Sequence, residues 1–442
     1  MSDARPTGLL DGALDQLAAV EPKRVVGHVT ELCGLVVRAA LPQVRSGELV
    51  RIVTGAGPLL AEVVGFKDDE AVLMPLGEPR ALGPRCEVES TGRPFGIRCG
   101  EALLGRVLDG LGAPIDGLPP PDPAGLEEWP VDRAAPDPLT RRRVTRPLAL
   151  GIRAIDGLLT VGEGQRVGLF AGSGVGKSTL LGQIARNTEA DVNVICLCGE
   201  RGREVRDFLE ESLGAAGLRR SVVVCATSDA PALVRLKSTY VATAVAEWFR
   251  ERGRRVLFLM DSVTRFARAL REVGLAAGEP PARQGYPPSV FAALPRLHER
   301  TGNGTVGSIT AIYTVLVAGG DMDEPIADEV RGILDGHIVL SRQLGARGHW
   351  PAIDVLDSVS RVMTGIVDAD HRRAAVRLRE LLAAYERQRD LILLGAYQRG
   401  SDPATDQAIA SIGRIEQFLR QGLDECPSLD ETRTRLTTLL PA

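Results

Sequence analysis

The sequence predicts an α/β protein in three parts: a small N-terminal β-barrel or sandwich, a central parallel sheet with crossover helices, and a C-terminal helical region. Short apolar runs separated by Gly, Pro and Asp recur roughly every ten residues from Arg24 to Glu89, which is typical of a small all-β domain. From about residue 150 to 365, continuous apolar runs alternate with helical stretches, as in a sheet that is buried on both faces. After Gly365 the strand pattern stops and helical periodicity takes over.

The first twenty residues carry one apolar stripe at helical spacing, formed by Leu9, Leu10, Leu14, Leu17 and Ala18. A helix this short is marginal on its own in water. Two interpretations stay open: the helix caps this chain's own core, or it docks on a partner.

The next part contains the runs VVGHV, LCGLVV, GELVRIV, AEVVGF and AVLMPL. The edge strands of such a sheet need partners, and closing the sheet into a barrel is one way to supply them.

A stretch rich in Pro and Gly between Gly105 and Pro147 is predicted to be a linker that strings domains together or wraps one of them. The consecutive Arg141, Arg142 and Arg143 are interpreted as a solvated patch.

The C-terminal part predicts two helices, His371–Gln398 and Pro403–Gly422. In the second, Asp402 is the expected N-cap and Gly422 the expected stop. Its expected buried stripe consists of Ile409, Ile412, Ile415, Phe418 and Leu419.

Composition excludes several classes of protein. The net charge of −4 argues against a broadly basic nucleic-acid surface. The seven cysteines show no metal-ligand spacing with His, and their odd number suits a reducing compartment. Cys196 and Cys198 lie in an apolar run and are interpreted as core residues. With no signal-peptide pattern and no membrane-spanning apolar run, we expect a cytoplasmic protein, at most peripheral to a membrane.

The string FAGSGVGKS lies between an apolar strand and a helix-forming stretch, which is the context of a phosphate-binding P-loop. Its glycines let backbone N–H groups point at phosphate oxygens, Lys177 would reach the β- and γ-phosphates, and the Ser178 hydroxyl would bind Mg²⁺. Position 171 is Ala where the pattern has Gly, a change that a strand end tolerates. The predicted loop residues that bind nucleotide are Gly172, Ser173, Gly174, Val175, Gly176, Lys177, Ser178 and Thr179.

Hydrolysis needs further groups beside a P-loop. Asp261 ends the apolar strand 255–260, which is the Walker B arrangement that holds the Mg²⁺ shell. Glu200 follows the strand VNVICLCG, where it could orient and polarise the attacking water, and the adjacent Arg201 could contact the γ-phosphate.

These motifs, together with LMDSVTRFARA, GEPPARQGYPPSVF, DMDEPIADEVRGILDGHIVLSR and GHWPAIDVLDSVSRVM, resemble the ATPases of type III protein export in injectisomes and flagella. Those enzymes are homologues of the catalytic subunit of rotary ATP synthase. The resemblance covers about residues 24–440, is densest from 150 to 365, and includes Ala171.

The resemblance implies an N-terminal helix at 1–20 that docks on a regulator, a β-barrel at 21–92, a RecA-like ATPase domain at 93–366 and a C-terminal helical domain at 367–442. It also implies a homohexamer with active sites between subunits, in which Glu200 is the catalytic carboxylate. Arg361 matches the arginine finger supplied to the neighbouring site, and Trp350 falls where the family places an aromatic ring against adenine. From the residues alone, Trp350 could also be plain core and Arg361 a surface residue.

The implied cofactors are ATP and Mg²⁺. The implied partners are a stator-type regulator at the N-terminus, a central stalk protein, chaperone–substrate complexes and an export gate at the inner membrane, where the protein would be peripheral. A hexameric RNA helicase would instead predict a basic, aromatic barrel, but Phe66 is the single aromatic residue of residues 24–89. A silent nucleotide-binding subunit would lack Glu200, and a rotary ATP synthase subunit is a further alternative. Between the two export systems, the string PPARQGYPPSV favours an injectisome over a flagellum.

Overall fold

The computed structural model describes residues 25–439, so the predicted N-terminal stripe lies outside the described residues. The chain separates into two compact units that divide between Phe95 and Gly96. Between residues 25 and 439, no helix has the length and apolar character needed to cross a membrane.

The first unit is a closed six-stranded antiparallel barrel with the strand order β1-β2-β5-β4-β3-β6. Its interior is filled by alternating small and branched apolar residues such as Val37, Ile52 and Leu73, which are fully buried. The sequence left a barrel and a sandwich open, and the structure is the barrel. Its strands are β1 (Val26–Cys33), β2 (Val36–Ala40), β3 (Glu48–Thr54), β4 (Gly57–Lys67), β5 (Glu70–Pro75) and β6 (Glu87–Pro94).

The second unit is built on a nine-stranded, mostly parallel sheet with the order β17-β16-β10-β15-β13-β11-β12-β8, with β14 beside β15. Among the strands between residues 25 and 439 that form this sheet, β17 and β14 run antiparallel to their neighbours and the others are parallel. A separate two-stranded ribbon pairs β7 (Gly96–Cys99) with β9 (Glu127–Pro130), which flank the first strand of the main sheet in the sequence. The strands of the main sheet are β8 (Val107–Asp109), β10 (Arg166–Ala171), β11 (Val192–Glu200), β12 (Ser221–Thr227), β13 (Arg255–Asp261), β14 (Gly302–Asn303), β15 (Ser308–Leu316), β16 (Gly336–Leu340) and β17 (Ile353–Ser360).

Helices cover both faces of this sheet and then form the C-terminal part of the same unit. The α-helices are α1 (Arg153–Leu158), α2 (Lys177–Asn187), α3 (Gly202–Asp207), α4 (Gly214–Arg219), α5 (Ala232–Glu251), α6 (Val263–Ala276), α7 (Pro288–Glu299), α8 (Pro325–Ile333), α9 (Arg342–Ala346), α10 (Met363–Ile366), α11 (Ala369–Leu393), α12 (Pro403–Leu419) and α13 (Leu429–Leu439). A π-helical turn, Phe208–Leu213, joins α3 to α4.

The stretch interpreted as a linker is more ordered than its composition predicts. Its β8 pairs in parallel with β12 at the edge of the main sheet. The interpretation of the arginines as a solvated patch is wrong for Arg141, whose guanidinium donates to the carbonyl of Thr301 at 3.0 Å. Arg142 is exposed but donates to the carbonyls of Gly304 and Val306. These arginines satisfy carbonyls between the end of α7 and the start of β15, contacts that local sequence patterns do not identify.

The C-terminal helices begin close to the predicted positions but end earlier. Helix α11 stops at Leu393 because Gly395 takes a left-handed conformation, with φ of +70°, after the last turn. Asp402 is the predicted N-cap of α12 and accepts from the N–H groups of Ala404 and Thr405. Gly422 is not the stop, since the backbone is already extended at Arg420. Helix α13 is not in the prediction. Of the predicted stripe, Ile415, Phe418 and Leu419 are buried, whereas Ile409 and Ile412 are half-buried.

The core of the second unit runs without a break from the sheet into these helices. Leu180 and Leu181 of α2 belong to the same buried apolar cluster as Ile415 and Phe418 of α12 and Leu436 of α13. The helix that follows the glycine-rich turn is therefore packed in one core with the C-terminal helices.

Candidate active site

The glycine-rich turn lies at the carboxyl end of β10, and α2 begins at Lys177 immediately after it. Gly174 and Gly176 have φ values of +77° and +79°, a left-handed conformation that an L side chain would strain. Successive backbone N–H groups in such a turn form a concave anion-binding nest at the start of a helix.

Three charged side chains meet beside this turn. The Lys177 ammonium lies 2.5 Å from Asp261 Oδ1 and 3.6 Å from Glu200 Oε1. Each residue comes from a different element: Lys177 opens α2, Glu200 ends β11 and Asp261 ends β13. All three side chains are largely buried. Asp261 Oδ1 also accepts from Thr314 Oγ1 at 2.8 Å, which fixes the carboxylate on the neighbouring strand β15.

Glu200 is aimed by its neighbours. A register irregularity after Cys198 and a φ of +72° at Gly199 turn the end of β11. A Cβ atom at position 199 would lie 3.2 Å from the side chain of Arg265, so glycine also allows the close packing of that arginine. The Arg265 guanidinium donates to Glu200 Oε2 at 3.1 Å and to the carbonyl of Gly199.

The surroundings of Glu200 shift the pKa of its carboxyl group. Burial, and next the negative charge of Asp261, raise the pKa of the Glu200 carboxyl above its usual range, while Lys177 and Arg265 oppose this. Glu200 Oε1 is buried and accepts no hydrogen bond among the described residues. A perturbed carboxylate with a free acceptor atom in a cleft is a candidate general base.

The oxygen ligands fit Mg²⁺ better than a metal that needs an all-protein cage. Ser178 and Asp261 offer one hydroxyl and one carboxylate, and no group of three or more His, Cys, Asp or Glu residues between 25 and 439 could hold a metal ion. Mg²⁺ prefers hard oxygen ligands, retains several waters and shares its shell with substrate phosphates.

On the other side of the turn lies a cavity of about 390 Å³. Trp350 forms one wall, and its ring packs so closely on Gly176 that a Cβ atom there would lie 2.8 Å from a ring carbon. The opposite wall comes from the chain that follows α12. The cavity is lined by Val175, Gly176, Thr179, Leu180, Gln183, Leu340, Trp350, Pro351, Ala352, Gln421, Gly422 and Leu423.

Two predicted site residues lie away from the charged cluster. The Arg201 side chain is 77% exposed and pairs with Glu204. Arg361 follows β17, and its backbone N–H donates to the carbonyl of Asp335, which precedes β16. Asp335 in turn bonds Arg166 at the amino end of β10. Arg361 therefore lies at the far end of β10 from the turn, about 17 Å away at the usual rise per strand residue.

Sequence reasoning missed two contributors. Arg265 donates a hydrogen bond to Glu200. The sequence feature that could have identified it is its position four residues after Asp261, in the string DSVTR. Gln421, which follows α12, lines the cavity beside Trp350, and no local motif identifies it.

A P-loop on a mostly parallel sheet, with carboxylates at the ends of two further strands, defines a P-loop ATPase. The comparisons with known proteins agree with this class. The nucleotide-binding domain of the ATP synthase alpha/beta family matches residues 151–360, and the beta-barrel domain of that family matches residues 25–92. The C-terminal domain of the type III secretion ATPase EscN matches residues 367–438.

The chain belongs to the type III secretion and flagellar export ATPases. It is 53% identical over 437 residues to the type 3 secretion system ATPase of Xanthomonas euvesicatoria, covering 98% of each chain. It is 51% identical over 429 residues to the flagellum-specific ATP synthase of Bacillus subtilis (strain 168), covering 96% of this chain and 98% of the relative. The structure of the assembled ATPase EscN from the enteropathogenic E. coli type III secretion system superposes with a TM-score of 0.87 at 46% identity, covering 93% of this chain and 99% of that one.

Proposed function

We propose that this chain hydrolyses ATP for a bacterial injectisome, where it releases chaperones, unfolds export substrates and delivers them to the export gate. The observation that carries the catalytic part is the meeting of Lys177, Glu200 and Asp261 beside the glycine-rich turn. A phosphate-binding cation, a metal-side carboxylate and a candidate base are the parts that phosphoryl transfer to water requires.

In this proposal the N–H groups of residues 172–179 and the Lys177 ammonium hold the phosphates of ATP. Ser178 and Asp261 hold Mg²⁺, which when bound neutralises charge on the phosphate oxygens. Glu200, fixed by Arg265, orients a water molecule and accepts its proton as the water oxygen attacks the γ-phosphorus. The bond from the γ-phosphorus to the bridging oxygen then breaks, leaving ADP and phosphate. Trp350 stacks on the adenine ring.

The site of one chain is incomplete without Arg361 of another. Because Arg361 lies at the far end of β10 from its own glycine-rich turn, we infer that it serves as the arginine finger of a neighbouring subunit in a homohexamer. A guanidinium delivered in this way stabilises charge that develops on the γ-phosphate. Arg201 remains a predicted γ-phosphate contact, although its exposed side chain pairs with Glu204.

The further partners of this proposal are a stator-type regulator at the N-terminus, a central stalk, chaperone–substrate complexes and the export gate at the inner membrane, with no nucleic acid. Support for the stalk comes from a relative: the assembled EscN has been solved in complex with its central stalk EscO, and that structure is 46% identical in sequence to this chain. The protein would then be cytoplasmic and peripheral at the inner membrane. The proposed domain bounds remain 1–20, 21–92, 93–366 and 367–442.

A flagellar export ATPase is the second candidate function, because relatives from the two systems are equally similar, at 53% and 51% identity. The neighbouring genes separate the two: needle and effector genes support the injectisome, whereas flagellin and hook genes support the flagellum.

The catalytic proposal is tested by Glu200→Gln, which keeps the shape of the side chain and removes the carboxylate that acts as the general base. We expect ATP binding and assembly to persist and turnover to fall about 10³-fold, because an amide cannot accept the proton of the attacking water. Phosphate release at saturating ATP and equilibrium binding of ATP measure the two properties in one preparation.

Glu210→Gln is the matched control, since Glu210 is an exposed carboxylate in the π-helical turn after α3 that pairs with Arg206. We expect this variant to hydrolyse ATP normally. Normal turnover in Glu200→Gln would remove Glu200 from the catalytic role.

A further inference from the structure

The segment that follows α12, residues 420–425, forms a collar around one side of the nucleotide cavity. Side chains from elsewhere bind its backbone carbonyls. The carbonyl of Gly422 accepts from Gln183 Nε2 at 2.9 Å, and that of Leu423 accepts from Arg186 Nη2 at 3.3 Å. The carbonyl of Glu425 accepts from Asn187 Nδ2 at 3.1 Å. Because Gln183, Arg186 and Asn187 all belong to α2, the collar is attached to the helix that starts at the glycine-rich turn.

Gln421 and Glu425 are attached through their own side chains: the Glu425 carboxylate pairs with Arg153, and the Gln421 amide is buried. Gln421 is only 6% exposed. Its Oε1 accepts from the N–H of Arg153 at 2.8 Å, and its Nε2 donates to the carbonyl of Gly151 at 2.7 Å and to that of Glu425 at 3.0 Å. A side-chain amide offers two N–H donors and one oxygen, so these bonds occupy both donors and leave the amide no donor for a ligand.

Gln421 also fixes the opposite wall of the cavity. Its backbone N–H donates to the carbonyl of Trp350 at 2.9 Å. The ring of Trp350 packs on Gly176 of the glycine-rich turn. One residue thus connects both walls of the cavity to the start of the ATPase fold at residues 151–153.

We propose that Gln421 is a positioning residue for nucleotide binding, which holds the collar and Trp350 at the spacing that a nucleobase requires. This inference rests on the proposed function, in which the cavity receives the base of ATP. The phosphates bind to the glycine-rich turn, and α2 keeps its own bonds to the collar through Gln183 and Arg186. We therefore expect Gln421 to affect the binding of the nucleobase and not the binding of the phosphates.

The test compares ATP, which has a nucleobase, with inorganic tripolyphosphate, which has none. In Gln421→Leu, which keeps the volume of the side chain, the Arg153 N–H loses its partner and the Gly151 carbonyl keeps only the 3.4 Å bond from Asn187. We expect the Kd and KM for ATP to rise about tenfold. We expect kcat to stay within about twofold of the parent, because the Lys177–Asp261–Glu200 cluster is untouched. The inhibition constant of inorganic tripolyphosphate should not change.

Gln417→Leu is the matched control, because Gln417 is an exposed residue of α12 that makes no side-chain hydrogen bond among residues 25–439. Melting temperature and assembly state are measured for both variants. We expect Gln417→Leu to match the parent in every constant.

Gln421→Glu provides a second variant with a pH signature. A charged carboxylate would face the carbonyls of Gly151 and Glu425, so its protonated form is favoured, and its single O–H restores one of the two bonds that the amide donates. The charged groups beside it, the Arg153 guanidinium and the Glu425 carboxylate, pair with each other. We expect the ratio of its ATP Kd to that of the parent to fall as the pH is lowered from about 8 to 6. A merely structural role would shift the tripolyphosphate inhibition constant with pH in the same way, whereas we expect that constant, relative to the parent, to stay unchanged.

A rise in the tripolyphosphate constant equal to the rise for ATP would overturn the inference, because Gln421 would then act on the whole site. Unchanged ATP affinity in Gln421→Leu, or no pH-dependent recovery in Gln421→Glu, would also overturn it. A parent protein that binds ATP without hydrolysing it would contradict the proposed function alone, since the Kd values still test Gln421.

Discussion

The two ends of the nucleotide site are built on different physical principles. At the phosphate end, Lys177 lies within 3.6 Å of two carboxylates that come from different strands. At the base end, a cavity of about 390 Å³ is lined mainly by apolar side chains, the ring of Trp350 and neutral amides. Charged groups in fixed positions can stabilise the transition state more than the bound substrate, because charge develops during the reaction. Apolar contacts stabilise the substrate and the transition state equally.

This difference assigns separate kinetic parameters to the two ends. Changes at the phosphate end should lower kcat, because they remove interactions that strengthen as charge develops. Changes at the base end should raise KM and leave kcat, because they remove uniform binding. The predictions that follow test whether the two ends can be separated in this way.

Of the two single variants that test this division, the larger effect is expected at Arg265, which aims Glu200. In Arg265→Ala we expect kcat to fall about 10²-fold with KM changed little, because Glu200 keeps its place on β11 but loses the group that fixes its orientation. Steady-state ATP hydrolysis measures both constants.

Arg268→Ala is the control for Arg265, since Arg268 is an exposed arginine on the same helix. It should hydrolyse ATP normally. A rise in KM with unchanged kcat in Arg265→Ala would contradict the division between the two ends.

A smaller effect is expected at Trp350, which is 42% exposed. Stacking of a base on an aromatic ring contributes about 1–3 kcal/mol, so Trp350→Ala should raise the KM for ATP by about tenfold or more while kcat is retained. Trp350→Phe should restore most of the affinity, because it keeps an aromatic face. If Trp350→Ala lowers kcat and leaves KM unchanged, the ring belongs to the phosphate chemistry and the comparison fails.

At the phosphate end, Lys177, Glu200 and Asp261 could be predicted from sequence because each lies in a short local pattern, whereas Arg265 was missed. A strand, a glycine-rich turn and a lysine specify the first part, and a carboxylate at the end of an apolar strand specifies each of the others. At the base end the family resemblance supplied Trp350, but Gln421 could not be predicted, because it bonds Arg153 across 268 positions and no local spacing records that contact.

The same reasoning applies to the fold. Apolar runs predicted the strands at 192–200 and 255–261, since a buried parallel strand must be continuously apolar. The three residues of β8 lie among prolines and glycines, and their pairing with β12 depends on a distant partner. Arg141 was interpreted as solvated because its carbonyl acceptors, Glu299 and Thr301, lie at the end of α7 and just before β14, far away in the sequence.

Arg361 lies away from the charged cluster of its own chain, so its proposed role as an arginine finger requires a neighbouring subunit. The most direct test mixes two inactive variants, Lys177→Ala and Arg361→Ala, under assembling conditions. Lys177→Ala is expected to lose nucleotide binding, and Arg361→Ala to bind ATP but lose about 10³-fold in rate.

If Arg361 serves a neighbouring subunit, random mixing of equal amounts places an intact Lys177 beside an intact Arg361 at about a quarter of the interfaces. We therefore predict that the mixture regains partial ATPase activity that neither variant has alone. If Arg361 acts within its own chain, every site lacks one of the two groups. A mixture that stays inactive, with co-assembly demonstrated, would contradict the shared active site.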